Sequence, residues 1–141
     1  MGVEAHMREY SVTASRTNER ASEARARAVV IPLDTASGAR EDTLCAVELL
    51  LAAVGAAVLA EAEHAAVAMS FALAGARVHV RGVKPDNTAR ALTADYDLTV
   101  DTDEPEHRLL QLHERVWQRV NLAPFAGTAA HLSGRIRRHL E

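Results

Sequence analysis

The sequence predicts an α+β fold in the order β-β-α-β-β-α-β, with antiparallel strands around a long central helix. Three observations carry this. Apolar and polar residues alternate with the two-residue period of half-buried strands near both ends and in the middle of the chain. Two stretches repeat apolar residues at helical spacing instead. Turn or capping residues stand between these segments.

In Glu9–Ser15, Tyr10, Val12 and Ala14 alternate with Glu9, Ser11 and Thr13, which predicts the first strand. "RTNER" (16–20) is polar turn chemistry, and "SEARARAVVI" (22–31) alternates again, so the pair is expected to form a hairpin. "DTASGARED" is a loop in which Asp42 or Thr43 can cap the following helix. That helix is expected from about Leu44 to the low seventies, with Gly75 as its stop. "ARVHVRG" places Val78 and Val80 inward and Arg77, His79 and Arg81 outward. After the turn "KPDN", a strand sets Leu92, Ala94, Tyr96, Leu98 and Val100 on one face and Asp95 and Asp97 on the other. Thr102 or Asp103 is expected to cap a second helix near Pro105, whose stripe is Leu109, Leu112, Val116, Trp117 and Val120. A last strand alternates through Leu132, Gly134, Ile136 and Leu140.

With 141 residues the chain is expected to be a single domain, residues 1–141, with 1–7 as a flexible tail. Hydrophobic residues make up 48% but aromatics only 4%, so the apolar content is largely alanine. Small side chains bury little area each, which favours a core shared with a partner. A net charge of −3 offers no broad basic field, so no nucleic-acid partner is expected. The basic "GRIRRHLE" is taken as a solvated strand face. "MGVEAHMREY" lacks the apolar run of a signal peptide, and residues 46–74 are too polar for a membrane span. A cytoplasmic protein with no membrane partner is the expectation. One cysteine, Cys45, excludes an intramolecular disulfide and a cysteine-cluster metal site.

The long helix has an odd middle: "AVELLLAAVGAAVLAEAEH" (46–64) offers only a hydrogen and two methyl groups from Gly55 to Ala57. Each buried CH₂ is worth about 0.8 kcal/mol, so another group must fill the space beside it. This stretch resembles the helix opening "PLELLLAALGAC" of the OsmC/Ohr family, the osmotically inducible and organic-hydroperoxide-resistance proteins. "GARVHVRGV" falls where that family has its glycine-led strand, and "LAPFAG" resembles the end of its second helix, a Cys-Pro dipeptide. The resemblance runs from about residue 8 to 140 and implies an OsmC-like fold in an intertwined homodimer.

The resemblance implies a peroxide-attacking cysteine at Ala57 and a resolving cysteine at Ala123, before Pro124; both thiols are missing. The proline that opens the family's helix is Ala46 here. The carboxylate that follows it in the peroxidase branch is Val47, while Glu48 fits the branch reading "LELLLAA". The family's thiol-activating arginine comes from the N-terminal region, where Arg16 and Arg20 lie. Thiol peroxidase chemistry needs a thiolate, and alanine has none. Cys45 stands twelve residues before Ala57, roughly 18 Å along a helix, too far to serve the same spot.

Candidate site residues follow from that hollow. Glu61 and His64 share a helix face with Ala57, Val54 and Leu50. Their Glu-x-x-His spacing binds metal only opposite a second such motif, and no metal or other cofactor is expected. The plain reading is a helix end becoming solvated; the functional one is an acid–base pair at the rim of the emptied pocket. The candidate catalytic residues are Glu48, Glu61, His64 and Arg20, and the candidate pocket is Val47, Val54, Ala57, Ala123, Pro124 and Phe125. His107 and His113 lie among charges on the second helix and are expected to be exposed. The leading expectation is a homodimer that binds a small organic molecule at its interface, with acid–base or template catalysis open to it. The alternatives are a structural or regulatory dimer without ligand, and one-cysteine hydroperoxide reduction through Cys45.

Overall fold

The computed structural model describes residues 7–36, 41–84, 92–120 and 130–139. Two contact units divide the chain at Leu49/Leu50. The first is an antiparallel meander of β1 (Thr13–Asn18), β2 (Ala21–Ala26) and β3 (Val29–Leu33). Asn18 Oδ1 accepts the Arg20 N–H at 2.9 Å and so folds the β1–β2 turn.

This corrects the expected hairpin. The strand expected over residues 9–15 forms at Thr13–Asn18, and the one expected over 22–31 is two strands. Ala26 pairs with Val29, and Arg27, at φ 56°, is the first of the two residues that turn the chain. None of the described residues of this unit is fully buried; Val29 and Val30 are 51% and 44% exposed.

A helix, α1 (Ala46–Ala68), leads into the second unit. The Cys45 carbonyl accepts the Leu49 N–H and Glu48 Oε1 accepts the Cys45 N–H at 3.0 Å. Cys45 is therefore the capping position and Glu48 closes half of a capping box. The expected cap does not form at Thr43, whose hydroxyl is buried without a hydrogen-bond partner among the described residues. At the other end, Phe71 N–H bonds to Ala66 O and Ser70 N–H to Val67 O around a left-handed Ser70, φ 51°. That is a Schellman stop, five residues before the expected Gly75.

The second unit continues with β4 (Gly75–Val83), β5 (Leu92–Asp101), α2 (Glu106–Val120) and β6 (Ala130–Arg138). Its sheet runs β4-β5-β6, antiparallel at β4–β5 as expected; β5 and β6, joined through α2, run parallel. The fold class is α+β, with one strand more than the sequence suggested. Every inward residue of β5 (Leu92, Ala94, Tyr96, Leu98 and Val100) is at most 6% exposed. Val54, Val58 and Ala62 of α1 and Leu109, Leu112, Val116 and Val120 of α2 pack with Tyr96, Leu98 and Val100, while Leu92 and Ala94 pack with Leu50, Leu51 and Leu132.

The emptied middle of α1 is partly a packing device. A methyl group on Gly55 would meet Val78 and Val80 of β4 at 3.3 and 3.5 Å. The glycine thus lets helix and sheet approach closely. Ala56 faces solvent and Ala57 is half-buried, so β4 does not account for them. Thr102 Oγ1 donates to Ala72 O and accepts the Glu104 N–H, folding the approach to α2, while the Pro105 carbonyl takes the first helical bonds. Arg108 then ties the helices together: it donates to Met69 O at 2.8 Å, pairs with Glu104 and lies 5.8 Å from the Phe71 ring centre.

Gly134 stands opposite Tyr96 in the parallel register, and a methyl group there would sit inside the tyrosine ring. Gly134→Ala is expected to cost about 1–3 kcal/mol in urea unfolding, because the ring cannot move without disturbing the core. Combined with Tyr96→Leu, the loss should be smaller than the sum of the two single variants.

Candidate functional site

The polar residues gather where the last turns of α1 pass the second half of α2. Glu61, His64, Ala65 and Ala68 recur on one face of α1 at helical spacing. Arg115, Gln118 and Arg119 do the same on the side of α2 turned away from its apolar stripe. Together they line a groove of 690 Å³. Glu61 Oε2 lies 4.0 Å from His64 Nδ1, and the two side chains are 29% and 78% exposed. Arg115 and Arg119, four residues apart, form no ion pair among the described residues. A smaller hollow of 410 Å³ adjoins it along α2, sharing Arg115 and Gln118.

The groove can therefore offer two guanidinium groups, an amide, a carboxylate and an imidazole. Guanidinium forks match planar oxyanions in bidentate geometry. A carboxylate beside an imidazole can relay a proton. No group of three or more His, Cys, Asp or Glu is placed to hold a metal among the described residues.

Of the residues singled out in the sequence, Glu61 and His64 come together in the groove. Ala57 precedes Glu61 by one turn on the same stripe. Val54 is 3% exposed and belongs to the core beneath. Glu48 and Val47 stand at the opposite end of α1, where Glu48 serves as a cap. The hydrogen bond from Cys45 N–H holds the Glu48 carboxyl below its usual range. Arg20 is exposed in the β1–β2 turn of the first unit. Ala123, Pro124 and Phe125 lie outside the described residues.

Sequence reading missed Arg115, Gln118 and Arg119; the available signal was two arginines at i,i+4 on the polar side of a strongly amphipathic helix. It also misplaced His113, which is half-buried against Tyr96, its Nε2 2.8 Å from the phenol oxygen. Their rings meet edge to face at 5.7 Å, and Trp117 lies 6.5 Å from Tyr96. Burial pushes the Tyr96 phenol up to about 12, so it stays protonated and can donate to a neutral imidazole.

The comparisons follow this architecture. No family model and no curated protein matches the sequence. Among solved structures, an OsmC-like protein from Mycoplasma pneumoniae superposes with a TM-score of 0.82 over 94% of this chain and 99% of its own, at 16% identity. This chain has the OsmC fold. An organic hydroperoxide resistance protein from Elizabethkingia anophelis shares that fold at a TM-score of 0.74 and 12% identity, over 96% of this chain and 100% of its own. OhrB of Bacillus subtilis matches at 0.64 and 15%, over 92% and 98%. At these identities the shared property is the fold. No helix among the described residues is long and apolar enough to cross a membrane.

Burial also lowers the His113 imidazole below its ordinary value of 6.5. The unfolded chain then takes up this proton first, so the contribution of neutral His113 is complete above the unfolded value. It declines as pH falls below that value toward the folded one. Urea unfolding of wild type should therefore lose stability on acidification through this window. His113→Gln should flatten that slope; an identical slope in the variant would contradict the assignment.

Proposed function

We propose that this OsmC-fold protein works without a thiol and binds a small organic acid in the groove between α1 and α2. A second copy of the chain lies along the exposed stripe of α1. The groove carries this reading: Arg115 and Arg119 present two guanidiniums that form no ion pair among the described residues beside Gln118, and Glu61–His64 stands across from them. An acid group on the ligand would take the arginine fork. Glu61 and His64 would face the rest of the molecule and supply the acid–base pair if a proton is moved. Cys45 is the chain's only cysteine, and the resemblance implies that Ala57 takes the place of the family's attacking thiol.

The homodimer rests on exposed apolar surface. Ala52, Ala53, Ala56 and Ala60 face solvent on α1, and Val67 is 83% exposed. A copy packed on that stripe would close the space beside Ala57 and wall the groove. Its small residues would suit close helix contact.

Titration with hexanoate and benzoate, followed by amide shifts, tests the proposal. Saturable shifts are expected around Glu61, His64, Arg115 and Arg119. Arg115→Ala with Arg119→Ala should remove them while the circular dichroism spectrum stays unchanged. The same preparation, given an organic hydroperoxide and a dithiol, should show no turnover. Absence of any carboxylate binding, or peroxide turnover lost in Cys45→Ala, would overturn it.

A further inference from the structure

The outward face of the β4-β5-β6 sheet carries its charges in register. One row across it is Arg81, Asp95, Ser133; the next is His79, Asp97, Arg135; the third is Arg77, Thr99, Arg137. Directly paired residues point to the same side of a sheet, and these positions are exposed or half-buried, opposite the buried core face. In the first two rows the central aspartate receives a cation from an edge strand. Arg81 Nε lies 3.7 Å from Asp95, and Arg135 reaches both Asp97 oxygens through Nε and Nη2.

The third row breaks the pattern. Its centre is Thr99, with a hydroxyl in place of a carboxylate, and an arginine flanks it on each side. Arg77 and Arg137 form no ion pair or hydrogen bond among the described residues. The nearest carboxylates on β5 are Asp97, bound by Arg135 and also within reach of the Arg137 charge, and Asp101, opposite Gly75 at the end of the ladder.

We propose that Arg77, Thr99 and Arg137 form an oxyanion site of the phosphate or sulfate class, in which the bound anion supplies the negative charge that the central residue lacks. Neighbouring strands are about 4.8 Å apart, so the two arginine backbones straddle Thr99 at about twice that spacing. Arg81 and Arg135 already show that an arginine on either edge strand can reach an acceptor above β5. Two guanidinium forks can then share a tetrahedral oxyanion, and the Thr99 hydroxyl donates a further hydrogen bond. The chain's net charge of −3 gives no overall attraction for anions, so binding must come from this local arrangement. The site stands on the sheet face opposite α1 and α2 and does not depend on the groove.

The test is titration with inorganic phosphate, sulfate and glycerol 3-phosphate at constant ionic strength balanced with sodium chloride. The shifts of the Thr99 amide and the Arg77 and Arg137 Nε–H groups are followed. Saturable shifts with any of the three support the site, and tighter binding of the ester than of inorganic phosphate would point to a phosphorylated small molecule as the natural occupant. Thr99→Asp, which repeats the pattern of the first two rows, should abolish saturation, and Arg77→Gln or Arg137→Gln should weaken binding by about tenfold. Shifts that chloride alone reproduces, or saturation unchanged in Thr99→Asp, would overturn the proposal.

Discussion

A helix with no polar side until its last turns sets the terms for the rest of this molecule. From Ala46 to Ala60 the only ionisable residue of α1 is Glu48, and that side chain is spent on the cap. A helix that is apolar all round must be covered all round. The sheet covers one side, and it can do so closely because Gly55 lets Val78 and Val80 approach. The opposite stripe of alanines and Val67 has no cover within the second unit, and the meander has no fully buried residue among those described. Short strands without a packed face are marginal in water. Each unit by itself therefore leaves apolar surface uncovered, and the second copy proposed above would cover the stripe on α1.

That uncovered stripe bears on the chemistry proposed for the groove. In the resembling family the emptied middle of this helix is where a reactive sulfur sits. Here the same stretch holds Ala57, and polar groups begin one turn later, at Glu61. Under the proposal, the groove is a binding surface of charged and hydrogen-bonding side chains. Arg115, Gln118 and Arg119 extend that surface from α2 because the apolar stripe of α2 is fixed on the sheet, which turns its polar side toward the end of α1.

Much of the fold was legible because it is local. The alternation in β5 matches the observed burial residue for residue, and the apolar stripe of α2 is the one that packs. Two of the boundaries that were misread share a cause. Among the described residues Arg27 and Ser70 are the non-glycine residues with positive φ, and each ends an element where the sequence shows no glycine or asparagine. The β2–β3 turn and the α1 stop were therefore invisible to pattern reading. His113 was misread for a different reason: its burial depends on Tyr96, whose ring depends on the bare Gly134 of another strand. In the site, Glu61 and His64 were legible from their spacing, whereas the α2 arginines acquire meaning only once the two helices are side by side.

We propose that a second copy of this chain covers the outer stripe of α1. Urea unfolding measured over a wide range of protein concentration tests it most directly, since association stabilises the folded state by mass action. The account predicts a midpoint that rises with protein concentration, together with a sedimentation mass of twice the 15.2 kDa chain. A concentration-independent midpoint with a folded species sedimenting as the single chain would contradict it.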